Sequence, residues 1–329
     1  MLNVFVAGPQ GLQRVARAPG DALPADALWL DLIEPTPDEE RLVEQTLAVD
    51  VPTREEMREI EASNRLYEES GLLYMTVTIV TGIDTDTPEN AQVTFIIAGS
   101  KLVTNRYVDP LPFRRFTGYA ERHAAVCASP ALLLSGLLES IINRIADVIE
   151  RVGADLDATS TSVFAPRARR NASRDYRDVL QRVAQSGVLI SKTRESLVSL
   201  GRMLAFVQQA PLAQPANATQ ITQEARSRFR TLSRDVMAMS DHASFLGTKV
   251  QFILDATLGL VTINQNDILK IFSVVTVFLL PPTVIASIYG MNFEHIPWLQ
   301  ESWGPAAALG FMLLSSLVPY LIFKRRGWL

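Results

Sequence analysis

The sequence has little of the chemistry that disulfide scaffolds and most protein metal centres use. It contains one cysteine, Cys127, and three histidines, His123, His242 and His295. A single thiol excludes an internal disulfide and a thiolate metal cage, and three scattered imidazoles do not predict a histidine metal cluster. Cys127 is predicted to be a small, buried apolar residue.

Basic excess and enzyme motifs are lacking as well. The chain has 31 Lys and Arg residues against 35 Asp and Glu residues, a net charge of −4, so a nucleic-acid partner is not expected. No GxSxG, phosphate-binding glycine loop, HExxH or paired Cys and His motif is present. We therefore expect neither an enzyme nor a bound cofactor.

Two long uncharged runs stand near the end of the chain. Ile271–Tyr289 and Pro305–Phe323 each contain 19 residues, and a basic run, Lys324-Arg325-Arg326, follows the second. As helices they would each extend about 28 Å, close to the ~30 Å hydrocarbon thickness of a bilayer. A buried helix of a soluble protein is the alternative for either run alone, but two such runs together favour membrane spans.

The distribution of basic residues predicts the orientation of the spans. Lys270 precedes the first span and the basic run follows the second, whereas the 14-residue connection 291–304 contains Glu294 and Glu301 but no Lys or Arg. Both termini are therefore expected in the cytosol and the connection outside. The opening MLNVFVAGPQG lacks a basic n-region and predicts a first strand rather than a signal peptide.

Residues 1 to about 120 combine strand and helix patterns. A strand is predicted to end near Ile33, and Thr36 followed by Pro37 predicts a helix start, a signal that Thr53 repeats. The stretches LLYMTVTIV, QVTFIIA and KLVTNRY are typical of strands, with a hairpin turn at Gly99-Ser100. We predict an α/β domain with a mostly antiparallel sheet.

Long helices are predicted from Pro130 onward, over Leu132 to about Asp157, Tyr176 to about Gln209, and from near Ala218. The third carries a 3.5-residue apolar repeat that is typical of helices packed around a common seam; an ordinary long core helix is the alternative. The members of the repeat are Ala225, Phe229, Leu232, Val236, Met239, Ala243, Leu246, Val250, Ile253, Thr257 and Leu260. No helix breaker separates this repeat from the first span, so one helix over 218–290 is predicted.

The first span carries a second stripe, of small and polar residues. Its members are Asn266, Leu269, Ser273, Thr276, Leu280, Thr283, Ser287 and Gly290. Hydroxyls in lipid are costly unless they face protein or water, so the stripe predicts either close helix packing or a wet face. Pro281-Pro282 favours the wet face, because it leaves carbonyls near Val277 and Phe278 without their usual donors. A pore would then need several copies around an axis.

The segment YGMNF, residues 289–293, ends this span. We expect the glycine to let the backbone turn and a ring of asparagine carbonyl oxygens to face the outer mouth. Mg²⁺ prefers oxygen ligands and gives up water reluctantly, so neutral amides could hold its hydration shell without binding it too tightly. Glu294 and Glu301 would concentrate cations outside the entrance.

YGMNF, the short outer connection, the second span and the tail KRRGWL together resemble the CorA family of divalent-cation channels, and WLDLIEPTPDE near the N-terminus is similar to that family too. The resemblance implies a funnel-shaped homopentamer, with an α+β cytosolic domain, long stalk helices and two C-terminal transmembrane helices. It implies passive Mg²⁺ influx, with Co²⁺ and Ni²⁺ also permeating. The expected location is a bacterial-type inner (plasma) membrane, and the expected partners are copies of the chain, divalent cations and the bilayer.

The implied organisation follows the chain. It comprises a cytosolic domain at 1–125, a stalk at 126–267, the pore-lining span at 268–290, the outer connection at 291–304, the second span at 305–323 and a basic tail at 324–329. By matching positions, the selectivity filter would be Gly290, Met291 and Asn292. The pore would be lined by Asn266, Leu269, Phe272, Thr276, Leu280, Thr283 and Ser287. Leu269 and Phe272 would form a hydrophobic constriction, although the polar stripe itself passes through Ser273 rather than Phe272.

Three questions stay open in the sequence. Ser287 stands where relatives often have glycine, which predicts a slightly narrower or more polar mouth. Relatives close when cytosolic Mg²⁺ binds between subunits, and Asp84 and Asp86 are weak candidates for such regulatory sites; a solvated acidic loop is the simpler interpretation. A ZntB-like zinc transporter of the same architecture is the alternative function, although the intact GMN favours magnesium. A cytosolic signalling module anchored by two spans ranks below both.

Overall fold

The structure is a computed structural model that describes residues 1–16, 18, 20–59, 61–83, 85, 87–165, 176–210, 221–291 and 301–326. The chain divides into two compact units, Met1–Ile253 and Leu254–Leu329. Each unit is described by itself below.

The first unit contains a seven-stranded sheet. Its strands are β1 (Leu2–Ala7), β2 (Leu12–Val15), β3 (Ala27–Ile33), β4 (Leu66–Glu69), β5 (Leu72–Thr81), β6 (Glu89–Ala98) and β7 (Lys101–Arg106), in the order β2-β1-β3-β7-β6-β5-β4. Among the described strands, only β3 and β7 pair in parallel, so the predicted antiparallel character is confirmed. The predicted turn at Gly99-Ser100 joins β6 to β7, where Gly99 has a φ of +56°.

The helices follow the predicted order. They are α1 (Pro37–Leu47), α2 (Ala62–Arg65), α3 (Leu111–Ala120), α4 (Pro130–Phe164), α5 (Tyr176–Gln209), α6 (Gln223–Tyr289) and α7 (Gly304–Arg325), with 3-10 turns at Glu56–Arg58 and Ala124–Cys127. Thr36 caps the start of α1 and Pro37 is its first residue, as predicted, and Glu39 completes a reciprocal capping box with Thr36. The similar signal at Thr53 starts only the 3-10 turn Glu56–Arg58.

A buried ion pair ties β3 to β7. Arg106 Nη2 lies 2.9 Å from Asp31 Oδ2, and Arg106 Nε donates to Asp31 Oδ1 over 3.0 Å. Burial alone would lower the pKa of Arg106, but the hydrogen bonds and the charge of Asp31 outweigh it and raise that pKa. The guanidinium also lies 4.4 Å from the centre of the Phe113 ring, so α3 packs directly over the pair.

The 3.5-residue repeat of α6 is largely buried inside the chain itself. Phe229, Val236 and Leu246 are among its fully buried members. Two glycines show which helices cover the repeat, because its side chains approach them closely. A Cβ added at Gly201 of α5 would lie 3.6 Å from the Val236 side chain, and a Cβ added at Gly153 of α4 would lie 3.8 Å from the Leu246 side chain. Up to Ile253 the repeat is therefore a core face against α4 and α5, which supports the long-core-helix alternative over a seam between copies.

The second unit contains two helices that are long and apolar enough to cross a membrane. The apolar window of α6 has a mean hydropathy of 2.2 and none of it is buried, and the window of α7 has a mean hydropathy of 2.0 with 6% buried. The ends of both helices match the predicted spans closely: α6 ends at Tyr289, and α7 covers Gly304–Arg325. A core helix of the same composition would be covered by protein, whereas these are not.

Candidate functional site

The first span has one face that α7 covers. Along α6 the half-buried positions of this span are Val274, Phe278, Pro281, Pro282, Ile285 and Tyr289. Phe278 meets the Tyr320 ring edge-on at 5.9 Å. Ile285 and Tyr289 line an open apolar groove of about 470 Å³ together with five α7 residues, Phe311, Leu314, Ser315, Val318 and Pro319. This face of the first span is therefore the contact with the second span.

The polar stripe lies on the opposite face of the same helix. At 3.6 residues per turn, Leu280 and Ser287 are about half a turn away from Phe278 and Ile285. Every stripe member from Asn266 to Gly290 is exposed, and Leu280 is 60% exposed. The face of the first span that carries the predicted polar stripe is therefore exposed. Phe272, beside the stripe, is 66% exposed as well.

The hydroxyls of the stripe are oriented by the helix backbone. Ser273 Oγ donates to Leu269 O over 2.8 Å, Thr276 Oγ1 to Phe272 O over 2.8 Å, and Thr283 Oγ1 to Leu279 O over 2.6 Å. A hydroxyl that donates its proton to the backbone keeps its oxygen lone pairs as acceptors. The stripe therefore offers acceptors, which suits water molecules around a cation better than it suits an anion.

The outer end of α6 is closed by two backbone hydrogen bonds. Gly290 N donates to Ala286 O over 2.9 Å, and Met291 N donates to Ile288 O over 3.3 Å. Gly290 does not have a positive φ, so the predicted backbone turn does not use the conformational freedom of glycine. A Cβ at this position would lie 3.1 Å from Ala286 O, a tight contact that glycine avoids. Glycine is therefore favoured here by the close approach of the Ala286 carbonyl.

Several predicted site residues lie outside the described residues. They are Asn292 and Glu294 at the outer mouth and Asp84 and Asp86 in the β5–β6 connection. Glu301 is described and exposed, and its carbonyl accepts a hydrogen bond of 3.0 Å from Gly304 N at the start of α7. Within the part of the chain that the structure describes, no group of three or more His, Cys, Asp or Glu side chains could hold a metal ion.

One carbonyl freed by the proline pair is not on the stripe. Pro282 has no N–H for Phe278 O, and Ser316 Oγ of α7 donates to that oxygen over 3.2 Å. The freed Phe278 carbonyl is thus engaged by the second span. It does not contribute to a water-accessible face, contrary to the expectation from the sequence.

The exposed stripe of α6 also extends further towards the N-terminus than predicted. Thr262, Gly259 and Asp255 continue the same steps of four, three and four residues before Asn266, and all three are exposed. Counting the spacing backwards from Asn266 would have found them. The uncovered face of the second unit therefore includes a carboxylate, at Asp255.

The fold and the uncovered polar face define a class: membrane proteins with a large α+β domain, long helices and two C-terminal spans. A sequence model described as CorA-like Mg²⁺ transporter protein matches residues 24–325. The chain belongs to this family, a family of transporters, as the YGMNF segment and its flanks indicated.

Individual relatives agree with this assignment. The chain is 35% identical over 330 residues to the magnesium transport protein CorA of Salmonella typhimurium strain LT2, and the match covers 100% of both chains. Its structure is similar to that of the complete CorA magnesium transporter from Methanocaldococcus jannaschii, with a TM-score of 0.77, 19% identity and coverage of 100% and 99%. The ZntB cytoplasmic domain from Vibrio parahaemolyticus matches with a TM-score of 0.52, 9% identity and coverage of 78% and 96%, a likeness of fold alone.

Proposed function

We propose that the chain carries Mg²⁺ into the cell down its electrochemical gradient, and that Co²⁺ and Ni²⁺ also permeate. The observation that carries this proposal is the exposed acceptor stripe on the side of the first span that α7 leaves uncovered. Exposed hydroxyls on a membrane helix need water or protein opposite them. The family and the name of the relative at 35% identity supply the identity of the ion.

One such helix cannot enclose a pore, so we propose a funnel-shaped homopentamer in which five stripes surround an axis. The buried repeat of α6 cannot join the copies, because α4 and α5 of the same chain already cover it. A different set of α6 side chains is free to do so: Met237, Phe245 and Phe252 are exposed by 68%, 61% and 57%. Their spacing of eight and seven residues keeps them near one face of the helix.

The proposed conduction path follows the sequence assignment. Asn266, Leu269, Phe272, Thr276, Leu280, Thr283 and Ser287 line it, with Leu269 and Phe272 as the narrow hydrophobic part. Gly290, Met291 and a ring of Asn292 amides form the outer filter, which holds the hydrated ion through carbonyl oxygens. Glu294 and Glu301 raise the local cation concentration outside.

The proposed organisation also keeps the predicted boundaries. The domain at 1–125 and the stalk at 126–267 lie in the cytosol with both termini, and the spans at 268–290 and 305–323 cross a bacterial-type inner membrane. The connection 291–304 lies outside, and the tail 324–329 returns to the cytosol. Cytosolic Mg²⁺ also acts as a regulatory ligand in this proposal, with Asp84 and Asp86 as its candidate residues.

Zinc transport is the second candidate function. It is favoured by the likeness to the ZntB cytoplasmic domain, but at 9% identity that likeness concerns the fold. The unaltered Gly290-Met291-Asn292 sequence favours magnesium instead.

Ion uptake by the purified full-length chain in liposomes tests the proposal. Mg²⁺, Co²⁺, Ni²⁺ and Zn²⁺ would be compared for the wild type, for Asn292→Ala, and for Asn264→Ala, a control asparagine off the stripe. We expect Mg²⁺ uptake that Asn292→Ala abolishes and Asn264→Ala retains. Uptake of Zn²⁺ without Mg²⁺ would support the zinc alternative, and no divalent uptake would support a membrane anchor.

A further inference from the structure

The proline pair interrupts the backbone of the first span at mid-membrane. Proline has no N–H, so Pro281 and Pro282 cannot donate to the carbonyls of Val277 and Phe278. An unsatisfied carbonyl is costly in lipid because no water is available to replace the missing donor. The helix therefore needs a donor from outside its own backbone at this point.

Ser316 of the second span supplies that donor. Its Oγ lies 3.2 Å from Phe278 O and donates to it across the two helices. The adjacent Ser315 behaves differently, because its Oγ donates to Met312 O of its own helix over 2.8 Å. One helical turn from Ser316, the Tyr320 ring packs against the Phe278 side chain at an interplanar angle of 69°. Both contacts converge on the residue that Pro282 deprives of its backbone partner.

The break divides the exposed stripe into two parts. Asn266 to Leu280 precede it, whereas Thr283, Ser287 and Gly290 follow it. The two missing hydrogen bonds weaken the coupling between these parts, since a proline inside a helix allows a kink there. The angle between the two parts of the helix then depends on the contacts that Phe278 makes with α7.

We propose that Ser316 is a positioning residue for ion conduction. By donating to the Phe278 carbonyl it fixes the angle at the proline pair and so aligns Thr283, Ser287 and the outer mouth with the inner part of the stripe. Ser316 does not touch the ion, because it lies on the α7 side of the first span, opposite the stripe. The transport consequence rests on the function proposed above, whereas the positioning itself does not.

The test compares Ser316→Ala, Ser316→Thr and Ser315→Ala in the full-length protein in liposomes. Removing the donor of this partly buried hydrogen bond leaves the Phe278 carbonyl unsatisfied, so we expect Ser316→Ala to lower the maximal Mg²⁺ uptake rate about tenfold. The Mg²⁺ concentration for half-maximal uptake should stay near the wild-type value, since the filter residues are unchanged. Ser316→Thr keeps the donor and should restore uptake, and Ser315→Ala should match the wild type.

Amide hydrogen exchange over residues 283–289 gives a second measurement that needs no transport. We expect faster exchange in Ser316→Ala than in the wild type, Ser316→Thr or Ser315→Ala. If Ser316→Ala does not assemble, Ser316→Cys replaces it, because a thiol is a weaker donor and should give an intermediate loss.

Equal uptake and equal exchange in Ser316→Ala and the wild type would overturn the proposal, as would an equal loss in Ser315→Ala. A wild-type protein that takes up no Mg²⁺ would overturn the proposed function instead, and the exchange comparison would then decide the positioning role alone.

Discussion

Phe278 and Leu280 stand two residues apart in the first span and lie on opposite sides of it. Phe278 is half-buried and contacts Tyr320 and Ser316 of the second span, whereas Leu280 is 60% exposed. The helix thus has one face in contact with α7 and another that the described residues of the chain leave exposed. This division into a covered and an exposed face supports the proposed function, and it can be tested directly by experiment.

Cysteine accessibility should follow the two faces. Cys127 is the single cysteine, so Cys127→Ala gives a cysteine-free background. We expect Leu280→Cys and Ser287→Cys to react with a charged, water-soluble thiol reagent and to lose Mg²⁺ uptake when modified, because the stripe would face water in the proposed pore. Ile285→Cys should resist modification, since it lies in the apolar contact with α7. The measurement is labelling in liposomes by mass spectrometry, alongside uptake.

The opposite pattern, with Ile285→Cys labelled and both stripe positions protected, would place the stripe against lipid or protein and remove the basis for a wet path.

Thr283 tests whether the stripe hydroxyls act as acceptors. Thr283→Val has nearly the same shape but replaces the oxygen by a methyl group, which in the proposed pentamer would turn a polar ring into a hydrophobic constriction. We expect the Mg²⁺ uptake rate to fall by about tenfold or more, at roughly 1 kcal/mol for each lost hydrogen bond to water. Thr283→Ser keeps the hydroxyl and should retain most of the rate. A rate for Thr283→Val equal to that of the wild type would show that ions do not meet this side chain.

Local sequence signals predicted much of the fold because their physical causes are local. The N-cap at Thr36 and the turn at Gly99 each depend on residues within a few positions, and both occur as predicted. The α6 repeat was ambiguous for a different reason. A 3.5-residue apolar period is the same whether the covering helices belong to the same chain or to another copy, so spacing alone could not assign Val236 or Leu246 to an intrachain core.

The candidate site shows the same limit. The polar stripe could be counted from the sequence, and the structure leaves it exposed. The donor for the Phe278 carbonyl could not be counted, because Ser316 is 38 residues away and only the packing of the two spans brings them together. The role of Asn292 stays a prediction, since that residue lies outside the described part of the chain.

The exposed aromatic face of α6 gives a prediction about assembly. Phe252→Glu places a charge on a surface that the proposed homopentamer would bury, and a buried charge without a partner is strongly unfavourable. We expect the detergent-solubilised variant to shift from an oligomer to smaller species, measured by size-exclusion chromatography with light scattering. Tyr119→Glu, at another exposed aromatic in α3, is the control and should keep the wild-type mass. An unchanged mass for Phe252→Glu would move the interface elsewhere.

Breaking the buried pair of Asp31 and Arg106 should strongly destabilise the first unit. Both side chains are less than 5% exposed, and Thr104 Oγ1 donates a further hydrogen bond of 2.7 Å to Asp31. Arg106→Met leaves the Asp31 carboxylate buried without its cation, a change that costs about 3–5 kcal/mol.

Arg41→Met is the matched control, because its pair with Asp38 is exposed by 65% and 91% and such pairs contribute about 0–1 kcal/mol. Trp29 donates to Thr104 over 3.0 Å, so in a variant that keeps Trp29 as its one tryptophan the fluorescence reports on this cluster during thermal unfolding. We expect a much lower melting temperature for Arg106→Met and partial recovery in the double variant with Asp31→Leu, since removing both charges leaves no unpaired ion. If the double variant were less stable than Arg106→Met, the loss would come from packing around Phe113 rather than from the stranded carboxylate.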